Sequence, residues 1–127
     1  MLVVDDDPDA RETLHAVLEV EGYAVRSAAD GVEALQWLSS HPTPGLILLD
    51  LMMPRLSGWD VCARLQQDLR LTQVPVVIIS AVASLEPGPA CRAHPRAFMS
   101  KPLDLSRLVR LVAQLVEPPV ALAKAVG

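Results

Sequence analysis

Apolar residues along this chain follow two alternating rhythms: short unbroken runs, and longer stretches where they recur every three or four positions. The runs predict strands at Met1 to Val4, Tyr23 to Ala28, Leu46 to Leu49, Val76 to Ser80 and Ala97 to Ser100. Between them the helical rhythm takes over. Pro8 suits a first helical position with Asp7 as its N-cap, Ala10, Leu14, Val17 and Leu18 share one face, and Gly22 is placed to end the helix. A second helix is predicted over Gly31 to Ser39 behind Asp30, and a third from about Gly58 to Leu69 behind Ser57. A last amphipathic helix covers Asp104 to Val116, with Leu105, Leu108, Leu111, Val112 and Leu115 inward. Five strands alternating with helices of this length imply a parallel sheet, right-handed crossovers and helices on both faces, a doubly wound α/β domain.

One stretch breaks the rhythm. In "VASLEPGPACRAHPRAF", between the fourth and fifth strands, Pro87, Gly88, Pro89 and Pro95 oppose a regular helix, because proline removes a backbone donor and clashes with the preceding turn. A fourth helix there is expected to be short, shifted or irregular.

Composition narrows the picture. The chain has 127 residues, 51% of them hydrophobic, enough for one core. The domain is expected to span residues 1–117. Glu117-Pro118-Pro119 breaks the last helix, leaving 118–127 as a tail or the start of a linker. Net charge is -4 with no run of Lys or Arg, which argues against direct nucleic-acid binding and against a lipid-binding basic patch. No apolar stretch reaches the roughly 20 residues of a membrane span and no signal peptide is evident, so a soluble cytoplasmic protein is expected. Cys62 and Cys91 lack metal-site spacing, as do His15, His41 and His94; buried thiols and surface or half-buried histidines are the expectation.

The chemistry lies at the strand ends. In "LILLDLMMP" a buried apolar run ends on a carboxylate, Asp50, whose ionisation costs free energy unless something compensates it. The first strand ends at Asp5-Asp6-Asp7, the fourth at Ser80, and the fifth at Lys101-Pro102. In a doubly wound sheet all of these meet at one edge, where such folds bind ligands. Carboxylates gathered there repel one another unless a hard divalent cation sits among them, and Mg²⁺, which takes one or two carboxylates, several waters and phosphate oxygens, suits the set. A carboxylate beside a cation and a lysine is equipped to attack phosphorus and form an aspartyl phosphate, with Ser80 and Lys101 meeting the transferred oxygens. Taken singly, the acids also read as a helix cap, Ser80 as a turn residue and Lys101 as a solvated lysine.

The stretches "LVVDDDPDAR", "LILLDLMMPRLSGWD", "VVIISA" and "FMSKPL", in this order, resemble the receiver domain of two-component response regulators, and the likeness runs from Met1 to about Val116. The resemblance implies a flavodoxin-like strand order, 2-1-3-4-5. It implies Asp50 as phosphoacceptor, a magnesium site of Asp5, Asp6, Asp50 and the backbone carbonyl of Met52, and Lys101 as the phosphate-contacting lysine before a cis bond to Pro102. Ser80 and Phe98 become the hydroxyl and aromatic pair that rearrange on phosphorylation, and Pro54 and Gly58 shape the loop after Asp50. Met52 and Val82 hold the two positions that influence phosphate loss in the family, and neither side chain hydrogen-bonds strongly to an attacking water. The implied partners are a histidine kinase or histidine phosphotransfer protein and a downstream protein, with no membrane partner.

Two other functions compete with a phosphorylated receiver. One is a phosphorylation-independent docking module that keeps the fold and uses the variant region between the fourth and fifth strands. The other, a phosphatase acting on external substrates with an aspartate nucleophile, is disfavoured because no second acid lies two residues after Asp50. A receiver taking part only in its own phosphorylation and dephosphorylation is expected, not an enzyme with substrate turnover.

Overall fold

The computed structural model describes residues 1–53, 55–80 and 97–116. Its elements run β1 (Leu2–Val4), α1 (Pro8–Val20), β2 (Arg26–Ala28), α2 (Gly31–Ser40), β3 (Ile47–Asp50), α3 (Gly58–Gln66), β4 (Val76–Ser80), β5 (Ala97–Ser100) and α4 (Leu105–Leu115). All strand pairs are parallel, and the sheet order is β2-β1-β3-β4-β5, the flavodoxin-like order expected. The expected irregular helix between β4 and β5 lies outside the described residues, as do Pro54, Val82, Cys91, His94 and the segment from 117 onward.

Side-chain alternation along the central strands divides the core. Leu2, Val4, Ile47, Leu49, Val76 and Ile78 face α2 and α3, joining Ala34, Leu38, Val61, Cys62 and Leu65. Val3, Leu48, Val77 and Ile79 face the other way, joining Leu14 and Leu18 of α1 and Leu108 and Val112 of α4. Strands covered on both faces have no room for a polar alternate residue, which is why they read as unbroken apolar runs. On α4 only Leu108 and Val112 are fully buried; Leu105, Leu111 and Leu115 pack at the margin. Those two residues, each contributing about 2 kcal/mol through burial, set the docking of the helix.

The helix starts match the predicted caps: Asp7 accepts from Asp9 N–H, Asp30 from Glu33 N–H, and Ser57 with Asp60 forms a reciprocal capping box. Several boundaries differ from the sequence reading. Strand β2 begins at Arg26 rather than Tyr23 because Tyr23 closes α1: Gly22 adopts φ 97, its N–H bonds the Glu19 carbonyl, and Tyr23 N–H bonds the Leu18 carbonyl. Helix α3 ends at Gln66, not Leu69, because the next residues serve a turn in which Leu71 and Thr72 N–H bond the Asp68 carbonyl. From that turn Arg70 donates to the Leu38 and His41 carbonyls and holds the C-terminal end of α2. Strand β3 extends through Asp50, which pairs in register with Ile79, so the acid belongs to the sheet itself. Cys62 is buried, as expected.

Candidate functional site

Four strand ends build the site. Asp5 comes directly after β1 and is 1% exposed; its N–H donates to the Ala28 carbonyl at 3.2 Å, which fixes its backbone against β2. Asp50 ends β3 and is 4% exposed. Its Oδ1 accepts from Met52 N–H at 3.2 Å. Lys101, the residue after β5, donates from Nζ to Asp5 Oδ2 at 3.0 Å and lies 3.5 Å from Asp50 Oδ2. Asp6 is exposed, yet one oxygen from each of Asp5, Asp6 and Asp50 lies within 4.8 Å of the others. The sheet thus brings together acids far apart in the chain, with a lysine contributed from its other end.

Ser80 ends β4, is fully buried and pairs in register with Ser100; its carbonyl accepts from Lys101 N–H at 2.9 Å. This bond ties the serine to the lysine through the backbone. The Lys101–Pro102 peptide is cis, as the resemblance implied. Phe98, half-buried on β5, meets Trp59 of α3 with ring centroids 6.2 Å apart and planes tilted by 54°. The Met52 side chain is 62% exposed while its N–H faces Asp50.

Burial sets the electrostatics. Desolvation, reinforced by the neighbouring charge of Asp5, pushes the Asp50 carboxyl up to about 6, against the opposing pull of Lys101 and the Met52 N–H. For Lys101 burial acts downward, but the bond to Asp5 and the charges of Asp50 and Asp5 outweigh it and raise its pKa. Among the described residues three carboxylates face one ammonium, which leaves these groups with excess negative charge held in hard oxygen donors.

Gly58 explains why the loop after Asp50 can close so tightly. A Cβ there would sit 2.7 Å from the Asp50 carbonyl and 2.9 Å from Leu51 Cα, both backbone atoms that cannot yield alone. Gly58→Ala is therefore expected to destabilise the fold by about 2 kcal/mol, in the range of overpacking, and to shift the backbone carrying Asp50. Gly45→Ala, whose Cβ would meet only Val116 Cγ1 at 3.8 Å among the described residues, is the control and should leave the denaturation midpoint nearly unchanged.

Of the residues expected at the site, Asp5, Asp6, Asp50, Ser80 and Lys101 lie at one edge, with the Met52 N–H on Asp50 and Phe98 on β5 beside Trp59. Two further residues were not expected: Arg11, whose Nη1 donates to the Asp5 carbonyl at 2.7 Å, and Trp59 against Phe98. Neither lies at a strand end, and neither carries a local pattern that distinguishes it from an ordinary helix residue.

Comparison with known proteins decides the family: residues 1–113 match the response regulator receiver domain. The chain belongs to that family. Among curated relatives, this receiver domain is 32% identical over 117 residues to the DNA-binding dual master transcriptional regulator RpaA of Synechocystis, covering 91% of this chain and 48% of that protein. It is 36% identical over 124 residues to an uncharacterised 14.6 kDa protein of Leptolyngbya boryana, covering 95% of this chain and 94% of the relative. Among solved structures, the response regulator TrrA of Thermotoga maritima in complex with Mg(2+)-BeF superposes with a TM-score of 0.78 at 28% identity, over 91% of this receiver domain and 96% of TrrA. The chain spans about half the length of the first of these curated relatives. The expected absence of nucleic-acid binding gains no support from RpaA, which is described as DNA-binding. Among the described residues no helix is long and apolar enough to cross a membrane.

Proposed function

We propose that Asp50 is the phosphoacceptor of this receiver, taking a phosphoryl group from a phosphohistidine of a histidine kinase or histidine phosphotransfer protein, with Mg²⁺ held by Asp5, Asp6, Asp50 and the Met52 carbonyl. One observation carries the reading: three carboxylates converge on a site where, among the described residues, Lys101 alone reaches two of them. That excess of hard oxygen charge fits a divalent cation that keeps part of its water. When bound, the cation offsets charge on the phosphoryl oxygens.

The remaining roles belong to the chain's own residues. An Asp50 carboxylate oxygen attacks phosphorus; the new P–O bond forms as the P–N bond breaks, and the departing imidazole keeps the electron pair and takes a proton. With a carboxyl pKa of about 6, Asp50 is mostly ionised and able to attack at neutral pH. Lys101 meets the phosphoryl oxygens as a point charge, and Ser80 donates its hydroxyl to them. Drawing Ser80 and its neighbours toward the new charge leaves room for Phe98 to turn, so a local charge alters the surface near β5 read by a downstream protein. A groove of about 300 Å³ between α1 and the Lys101–Leu105 segment, lined in part by Asp7, Thr13 and Leu103, opens beside Lys101. The protein acts in the cytoplasm without turning over an external substrate.

Acetyl phosphate as donor tests this. Intact mass is expected to rise by one phosphoryl group in the presence of Mg²⁺ and to stay unchanged in EDTA; a rise independent of the metal contradicts the reading. The apolar, exposed Met52 further implies that side chains do little to hasten hydrolysis of the acyl phosphate. Met52→Asn is expected to shorten the phosphate lifetime severalfold, and an unaltered lifetime counts against that role.

A further inference from the structure

Arg11 is the fourth residue of α1. Its backbone N–H donates to the Asp7 carbonyl at 3.0 Å, and its guanidinium reaches back to donate to the Asp5 carbonyl at 2.7 Å. Between those two bonds lies the whole acid turn. The turn also closes on itself, Asp7 N–H bonding Asp5 Oδ1 at 2.9 Å. Counting Ala28 and Lys101, the N–H, the carbonyl and both carboxylate oxygens of Asp5 are engaged. Asp6 is therefore carried between two residues that are themselves fixed.

We infer that Arg11 is a positioning residue for the metal: it straps Asp5 to the first turns of α1 and so sets where Asp5 and Asp6 present their oxygens to Mg²⁺. This rests on the proposed magnesium-dependent function. Without the guanidinium the carbonyl of a residue only 1% exposed loses its donor, and the turn relaxes to recover one. Partners that orient metal ligands from outside the coordination shell commonly change affinity by an order of magnitude or more.

The sign of the effect separates positioning from charge. Arginine is always protonated, so through its charge alone it repels a bound cation, and removing it tightens Mg²⁺ binding. Through positioning, removing it weakens binding. A purely structural role lowers the melting temperature and leaves the dissociation constant unchanged below the transition.

The test is calorimetric titration of MgCl₂ into the native chain, Arg11→Gln and Arg11→Lys, with the metal-free melting temperature of each recorded by circular dichroism. Arg11→Gln is expected to bind Mg²⁺ roughly tenfold more weakly. Arg11→Lys, which keeps the charge and loses the planar fork, should also bind more weakly than the native chain. Equal or tighter binding by Arg11→Gln overturns the inference and leaves the magnesium site standing. No binding by the native chain overturns both. If Arg11→Gln fails to fold, Arg11→Lys carries the comparison, with weaker binding in support and unchanged binding against.

Discussion

Lys101→Met is expected to cut the rate of phosphorylation at Asp50 by on the order of a hundredfold and to destabilise the metal-free fold at neutral pH by about 2 to 3 kcal/mol. The two effects share one cause. Lys101 bridges Asp5 at 3.0 Å and Asp50 at 3.5 Å, and both acids are buried. Removing the ammonium while leaving both carboxylates strands buried charge, which costs more than the pair was worth to begin with. The effect falls at or just below the usual range of about 3 to 5 kcal/mol because the lysine side chain is itself 24% exposed. Its absence also removes a force that holds the Asp50 pKa down, so that acid should titrate above 6 in the variant. Chemical denaturation in EDTA reads the stability, and a time course with acetyl phosphate reads the rate. A variant that loses rate without losing metal-free stability would place Lys101 away from the acids.

Asp50→Asn is expected to have the opposite effect on stability. In the native chain the Asp50 carboxyl is raised to about 6 from its ordinary value near 3.8, chiefly by burial and then by Asp5. The folded state therefore holds this proton more tightly than the unfolded chain does. Stability from this source is fully present below about pH 4 and is lost as pH rises through 6, a loss of about 2 to 3 kcal/mol by pH 7.5. Asparagine cannot ionise and can keep the acceptor used by Met52 N–H. Rather more than half of the native loss is complete by pH 5, so in EDTA the native melting temperature should fall by about 5 °C between pH 5 and 7.5, while that of Asp50→Asn stays nearly level and ends higher. Adding Mg²⁺ at pH 7.5 should raise the native protein and leave the variant little changed, because only a folded state that binds the ion gains from it. A native melting temperature that rises over this pH window in EDTA contradicts the assignment of the raised pKa.

These effects originate in residues whose placement was legible from local pattern. The apolar runs before Asp5, Asp50 and Ser80 announced strands covered on both faces, and such strands carry their C-terminal residues to one edge of the sheet. Asp7, Asp30 and Ser57 could be read as caps because capping is decided within four residues. Features set by distant neighbours were not legible. Tyr23 has the side chain of a strand residue, yet its N–H serves the end of α1, which delays β2. Leu69 continues a helical spacing, but the turn at Asp68 and the reach of Arg70 to α2 end α3 first. Arg11 looks like any polar position of a surface helix; only the return of its guanidinium to the Asp5 carbonyl reveals its contact with the site. The contact of Trp59 with Phe98 likewise joins a helix to a strand distant in sequence and has no local signature.

Reduction of the phosphorylated chain with borohydride tests the central claim most directly, since it converts an aspartyl phosphate to homoserine and marks the carboxyl that held phosphorus. After exposure to acetyl phosphate and Mg²⁺, peptide sequencing by mass spectrometry should find homoserine at position 50 and at no other acid. Homoserine at position 5 or 6, or none anywhere in a chain that has gained phosphate, would contradict it.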